Sequence, residues 1–154
     1  MDDLTEEKAR QMDAGPELNR VCAEWMGWSY FAGMGSHQWK LEASGSTRPI
    51  IHQGKDPPPF STDWSAAGPL LEAMEAKHGG VHPPSCEIEC RSYKRSEWYT
   101  KEEWRQQKWR CLVLIPEHED RQLFGYAPTP PLAIARACAV LVARGVSRDD
   151  LEDT

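Results

Sequence analysis

The amino-acid sequence predicts an α+β fold: a small, mainly antiparallel sheet packed between helices, an α/β/α sandwich with its C-terminal helix buried. Three observations lead there. The run Thr129–Gly145 (TPPLAIARACAVLVARG) carries charge only at Arg136 and Arg144, and a helix apolar nearly all round belongs inside a protein. Two later stretches, Ser85–Lys94 and Lys108–Ile115, alternate with a period of two, the signature of half-buried strands. The elements follow in the order helix, two short strands, helix, two or three longer strands, helix, and a small antiparallel sheet covered by helices satisfies that order.

Taken along the chain, residues 1–12 form an acidic lead with room for one short helix over Leu4–Met12. Asp13-Ala-Gly-Pro starts the next helix, with Pro16 in the first turn and Glu17 favourable to the dipole. Leu18, Val21, Cys22 and Trp25 then make one apolar stripe, and Gly27 ends it. Trp28–Phe31 and His37–Leu41 flank Gly33-Met-Gly-Ser as a hairpin. Residues 43–59, with Ser-Gly-Ser, Arg-Pro and a proline triplet, are expected to be a long loop. Ser61-Thr62-Asp63 supplies caps for a helix to about Lys77, which Pro69 should kink or restart.

In the first long strand Cys86, Ile88 and Cys90 point one way and Glu87, Glu89 and Arg91 the other. In the second, Trp109, Cys111, Val113 and Ile115 share a face. Thr100-Lys-Glu-Glu103 has capping-box spacing for a short helix between them. Gln122–Tyr126 reads as an edge strand. The last helix can be capped by Thr129, begins at Pro130, and can end with Gly145 in the left-handed C′ position.

Composition narrows the function classes. The 154 residues suffice for one domain with a core of its own, here 13–146, followed by an acidic tail at 147–154. Mean hydropathy is −0.66 and the formal net charge −6, so the surface is polar and acidic. Binding nucleic acid without sequence preference requires a basic surface, which disfavours that partner. Seven tryptophans supply much of the area to be buried. No apolar run is long enough to span a membrane, and the acidic N-terminus lacks a signal peptide's apolar core. Five cysteines without framework spacing fit reduced thiols in a cytoplasm.

Three islands, Asp13–Leu18 leading into Trp25-Met-Gly-Trp28, Pro58-Pro-Phe-Ser-Thr-Asp63, and Ala127–Arg136, together resemble the phage ABA sandwich domain family. The resemblance extends from about Asp13 to Arg144. It implies an α/β sandwich, a phage or prophage origin and the host cytoplasm as the place of work, and it brings no activity with it. Gly68-Pro69 departs from the continuous helix this likeness implies, and Ser96–Gln107 looks like an elaboration.

Catalytic and metal patterns are weak. His78, His82, Cys86 and Cys90 recur every four residues with zinc-type ligands. On one strand, however, the two cysteines would lie about 13 Å apart, too far for one ion. Cys22, Cys111 and Cys138 fall on core faces, where thiols are inert. Glu87 and Glu89 share a strand face as paired carboxylates would, but Arg91 continues the row as an ordinary solvated face. There is no nucleophile elbow, phosphate loop, dinucleotide fingerprint or His-Glu-x-x-His.

Two binding candidates stand out. The loop Lys55–Asp63, with Lys55, Phe60, Ser61, Thr62 and Asp63, could offer a helix N-terminus to an anion or nucleotide, with Phe60 and Trp64 flanking the caps and able to stack on a base. The competing reading has Ser61 or Thr62 as cap, Asp63 complementing the dipole and Trp64 facing the core. In Tyr93–Arg110, Arg95, Trp98, Tyr99, Trp104 and Arg105 combine the residue types of protein interfaces. The same mixture suits single strands, but Glu97, Glu102 and Glu103 dilute its charge.

The expectation is therefore a non-enzymatic phage or prophage accessory protein without cofactor or metal. It would act by binding a protein, either a second copy of itself or one encoded by the host. The alternative is a protein that binds a nucleotide or small anion, for instance a counter-defence protein sequestering a host signalling nucleotide.

Overall fold

The structure is a computed structural model, and it describes residues 4–41, 50–74, 86–90, 100–114 and 122–147. The fold is α+β, with strands in two antiparallel meanders and the C-terminal helix buried. In order, the elements are α1 (Glu6–Gln11), α2 (Pro16–Met26), β1 (Ser29–Gly33), β2 (Ser36–Leu41), β3 (Ile50–Gln53), α3 (Trp64–Met74), β4 (Cys86–Cys90), α4 (Lys101–Gln106), β5 (Trp109–Leu114), β6 (Gln122–Ala127) and α5 (Pro130–Ala143). One sheet has the order β1-β2-β3 and the other β4-β5-β6.

Helix α5 is the centre. Every residue from Pro131 to Leu141 except Arg136 is buried. Strands β5 and β6, with β4, cover part of its circumference, and α1, α2 and α3 cover the rest. The side chains of Cys111, Val113, Leu123 and Ala127 meet it from the sheet, while Leu18, Val21, Cys22, Leu70 and Met74 join the same core from the helices.

Approach is closest at Gly125 in β6. A Cβ there would stand 2.3 Å from the Ala133 carbonyl oxygen and 2.5 Å from the Ala137 nitrogen. Only a residue without a side chain lets the strand lie on the helix backbone at that point.

The helix ends follow the local chemistry. Gly27, with φ 97°, closes α2 while the Trp28 N–H donates to the Ala23 carbonyl at 2.9 Å. Gly145, with φ 77°, closes α5 the same way: its N–H donates to Val142 and that of Val146 to Leu141, both at 3.0 Å. Both are Schellman closures, in which a left-handed glycine lets its own N–H and that of the next residue satisfy the last carbonyls. Val146 is buried and its carbonyl accepts the Trp25 indole N–H at 2.9 Å, fastening the end of α5 to α2. Thr129 has N-cap backbone geometry but makes no side-chain cap bond.

Two expectations are corrected. The stretch 43–59 is not loop throughout, because Ile50–Gln53 adds a third strand beside β2. Helix α3 runs unbroken through Pro69 instead of restarting. Proline removes one hydrogen bond, to the carbonyl of Ser65. Both Ser65 and Pro69 are exposed, so water can hydrate that carbonyl.

Candidate interaction surface

Trp39 is the main anchor of the sheet β1-β2-β3 among the described residues. Trp39 in β2 is 2% exposed and its indole N–H donates to the Lys55 carbonyl at 3.1 Å. The Arg20 guanidinium of α2 lies 5.9 Å from its ring centre. Tyr30, opposite Trp39 in the register, packs against it at 5.4 Å, stacks on His37 at an interplanar angle of 9°, and hydrogen-bonds His37 Nδ1 through its hydroxyl.

Beyond Trp39 the sheet reaches into solvent. All five residues of β1 are exposed. Phe31 is 50% exposed on the outward face, with Lys40 Nζ 5.2 Å from its ring, and Ile51 lies across Lys40 on that same face. The hairpin turns through Met34 and Gly35, with φ 50° and 80°. Positive φ at both central residues is the type I′ geometry, which matches strand twist. A methionine there is unusual, and its side chain projects completely into solvent. Phe31 and Ile51 thus share exposed apolar surface on the outward face, and Tyr30, Ile50 and Met34 add exposed apolar area on the other face and at the turn, surface of the kind found at interaction sites.

The loop Lys55–Asp63 is organised differently from a ligand cradle. Phe60 is buried in the core, which removes it as a stacking residue, and Trp64 is 52% exposed, which overturns the reading that it faces the core. Ser61 is buried; its hydroxyl donates to Asn19 Oδ1 at 2.7 Å and accepts the Gly15 N–H at 3.1 Å, and its own N–H donates to Asn19 Oδ1. Lys55 and Thr62 are exposed.

Asp63 is the cap of α3, its Oδ1 accepting the Ser65 N–H at 2.9 Å and hydroxyl at 2.8 Å. These bonds, the hydroxyl's first, hold its carboxyl below the usual 3.8. The protein's own carboxylate therefore occupies this helix N-terminus, where it would repel an anion.

Of the aromatic–basic segment, Arg95, Trp98 and Tyr99 lie outside the described residues. Helix α4 begins with the expected capping box, Thr100 Oγ1 accepting the Glu103 N–H at 3.1 Å. Trp104 is half-buried with Lys108 Nζ 5.9 Å from its ring, and exposed Arg105 pairs with Glu102 at 3.8 Å. An exposed pair of this kind contributes little.

The pair His78 and His82 also lies outside the described residues. Cys86 and Cys90 stand at the two ends of β4, opposite Val113 and Trp109, as the alternation requires. Cys22, Cys111 and Cys138 are buried. Glu89 pairs with Arg110 across the strands. A groove of about 360 Å³ between α2 and the end of α5 has Leu4, Val21, Trp25, Val142 and Val146 among its walls, with Glu24 as its carboxylate. Sequence reasoning passed over this groove, and over β1 as a surface: aromatic runs such as Trp28–Phe31 read equally well as core.

The fold and this surface define a small α+β protein with an aromatic hairpin held out from a helical core. No helix among the described residues is long and apolar enough to cross a membrane. No family model and no curated protein matches the chain. Among solved structures it is similar to a phage protein from Bacillus cereus ATCC 14579, at 14% identity and a TM-score of 0.44, over 89% of this chain and 94% of that one.

Proposed function

We propose that this is a non-enzymatic accessory protein of a phage or prophage that acts by binding another polypeptide through the β1-β2-β3 sheet. The observation that carries the binding reading is β1 itself, an uncharged strand with every residue exposed, Phe31 half in water and Met34 wholly so. Exposed edge strands are templates for a further strand, and stable monomers blunt them with charge, proline or bulges. Strand β1 has none of these, and its register with β2 is continuous. The phage setting rests on the likeness of the three sequence islands, and the host cytoplasm follows from it.

Site-specific photocrosslinking tests this reading. Benzoylphenylalanine placed at Phe31 in producing bacteria should yield a discrete covalent adduct whose second chain is identified by peptide mass. The same label at exposed Glu72 of α3 should not. Labelled protein recovered only as uncrosslinked monomer from position 31 would remove this sheet as the binding surface.

A further inference from the structure

We infer that the partner of β1 is β1 of a second copy of this chain, paired antiparallel about a two-fold axis at Phe31, so that two three-stranded meanders become one six-stranded sheet. The inference rests on the binding reading above and names its occupant.

The backbone supplies the first argument. In a hairpin closed by a two-residue turn the flanking residues exchange both hydrogen bonds, and the pattern then alternates along the strands. Gly33 pairs with Ser36, so Gly33, Phe31 and Ser29 direct their N–H and C=O groups toward β2. Tyr30 and Ala32 therefore direct theirs outward, and no described strand takes them. A two-fold at Phe31 sets Tyr30 opposite Ala32 of the other copy, and these outward groups are the ones that meet. Four N–H···O=C bonds form, two on each side of the axis. Pairing moved by one residue would place inward-directed groups opposite outward ones and lose them.

Side-chain volume supplies the second. The strand Ser-Tyr-Phe-Ala-Gly laid against its own reverse matches Ser29 with Gly33 and Tyr30 with Ala32, large against small. Phe31 meets its equivalent in a non-hydrogen-bonded pair, where side chains approach most closely. The other edge lacks this pattern: in β3 the reverse of Ile-Ile-His-Gln sets large groups against one another.

Charge supplies the third. Strand β1 carries none, so no like charges are opposed. On the outward face the Lys40 Nζ lies 5.2 Å from the Phe31 ring, an attractive cation–π contact.

Sedimentation equilibrium on the full chain reads the result directly. The wild type should have a mass of about 35 kDa, twice the 17.5 kDa chain. Phe31→Arg, which opposes two charges at the axis, and Ala32→Pro, which deletes an outward N–H, should each sediment as one chain with wild-type circular dichroism. Phe31→Cys provides a test that does not depend on those variants folding. Non-hydrogen-bonded pairs have Cα atoms about 4.5 Å apart, within disulfide range, whereas the two copies of Met34 would lie roughly 20 Å apart. Mild oxidation should crosslink Phe31→Cys into a dimer much faster than Met34→Cys or wild type.

A wild type that is monomeric at all concentrations overturns the inference. So does a dimer that survives both disrupting variants, or equal crosslinking at 31 and 34. In any of these cases a photocrosslink from position 31 to a different protein would leave the binding reading standing.

Discussion

At Gly125 a missing side chain decides the packing of a whole layer. Adding one methyl sets it against the backbone of α5, which cannot turn aside as a flexible side chain would. Overpacking typically costs about 1–3 kcal/mol, and a clash with helix backbone belongs at the upper end. Gly125→Ala should therefore lower the melting temperature by roughly 6–12 °C in a chain of this length, measured by circular dichroism. A change under about 2 °C would mean that β6 does not lie on α5 as described. Asp63 acts through hydrogen bonds and charge instead. Its carboxyl is more acidic folded than unfolded, so its stabilising contribution is complete above the ordinary value of 3.8 and is lost as pH falls through the lowered folded value. Asp63→Ala should melt below wild type at pH 7, and the gap should shrink as pH drops below 3.8; a gap independent of pH would count against the cap.

At the scale of elements, the parts read best from sequence are those governed by neighbours along the chain. The stripe through Leu18, Val21 and Cys22, the capping box at Thr100 and the glycine closures at Gly27 and Gly145 all appear where their chemistry puts them. Strand β3 escaped because four residues between Pro49 and Gly54 are too few to show a period, and β2 is what makes them a strand. At Pro69 the helix continues without restarting, because the hydrogen bonds and the buried Ala67, Leu70 and Met74 on either side outweigh the one bond that proline removes. The hairpin at Gly33–Ser36 was legible but its exposure was not, since an aromatic run states a preference for burial and cannot state whether anything is there to bury it.

At the scale of the molecule, α5 joins the helices to the β4-β5-β6 sheet, touching α1, α2 and α3 as well as β5 and β6. Arg136, the one polar residue in its buried stretch, spans the layers. Its Nε donates to the Met12 carbonyl and one terminal nitrogen to the Tyr126 carbonyl, both at 2.9 Å. A centre shared in this way predicts a single cooperative unfolding transition. Tryptophan fluorescence, reporting Trp25, Trp39 and Trp109 in three separate regions, should coincide with far-ultraviolet circular dichroism in denaturant. Separate midpoints would show that the β1-β2-β3 sheet, anchored chiefly by Trp39, melts alone. The three sequence islands meet around this same centre: Ser61 bonds Gly15 and Asn19, and burial lowers the pKa of Arg136 while the Asp13 carboxylate partly offsets that loss.

By itself, the sequence determined that α5 is buried, where α2 and α5 stop, and that Cys111 and Val113 share an apolar strand face, because hydrophobic periodicity and capping are properties of neighbouring residues. Only the tertiary structure decided that Phe60 goes inside while Trp64 stays in water. It alone decided that Ser61 is used up by Asn19, and that an aromatic strand is left without a covering layer. Exposure depends on what arrives from distant parts of the chain, and no local pattern carries that information.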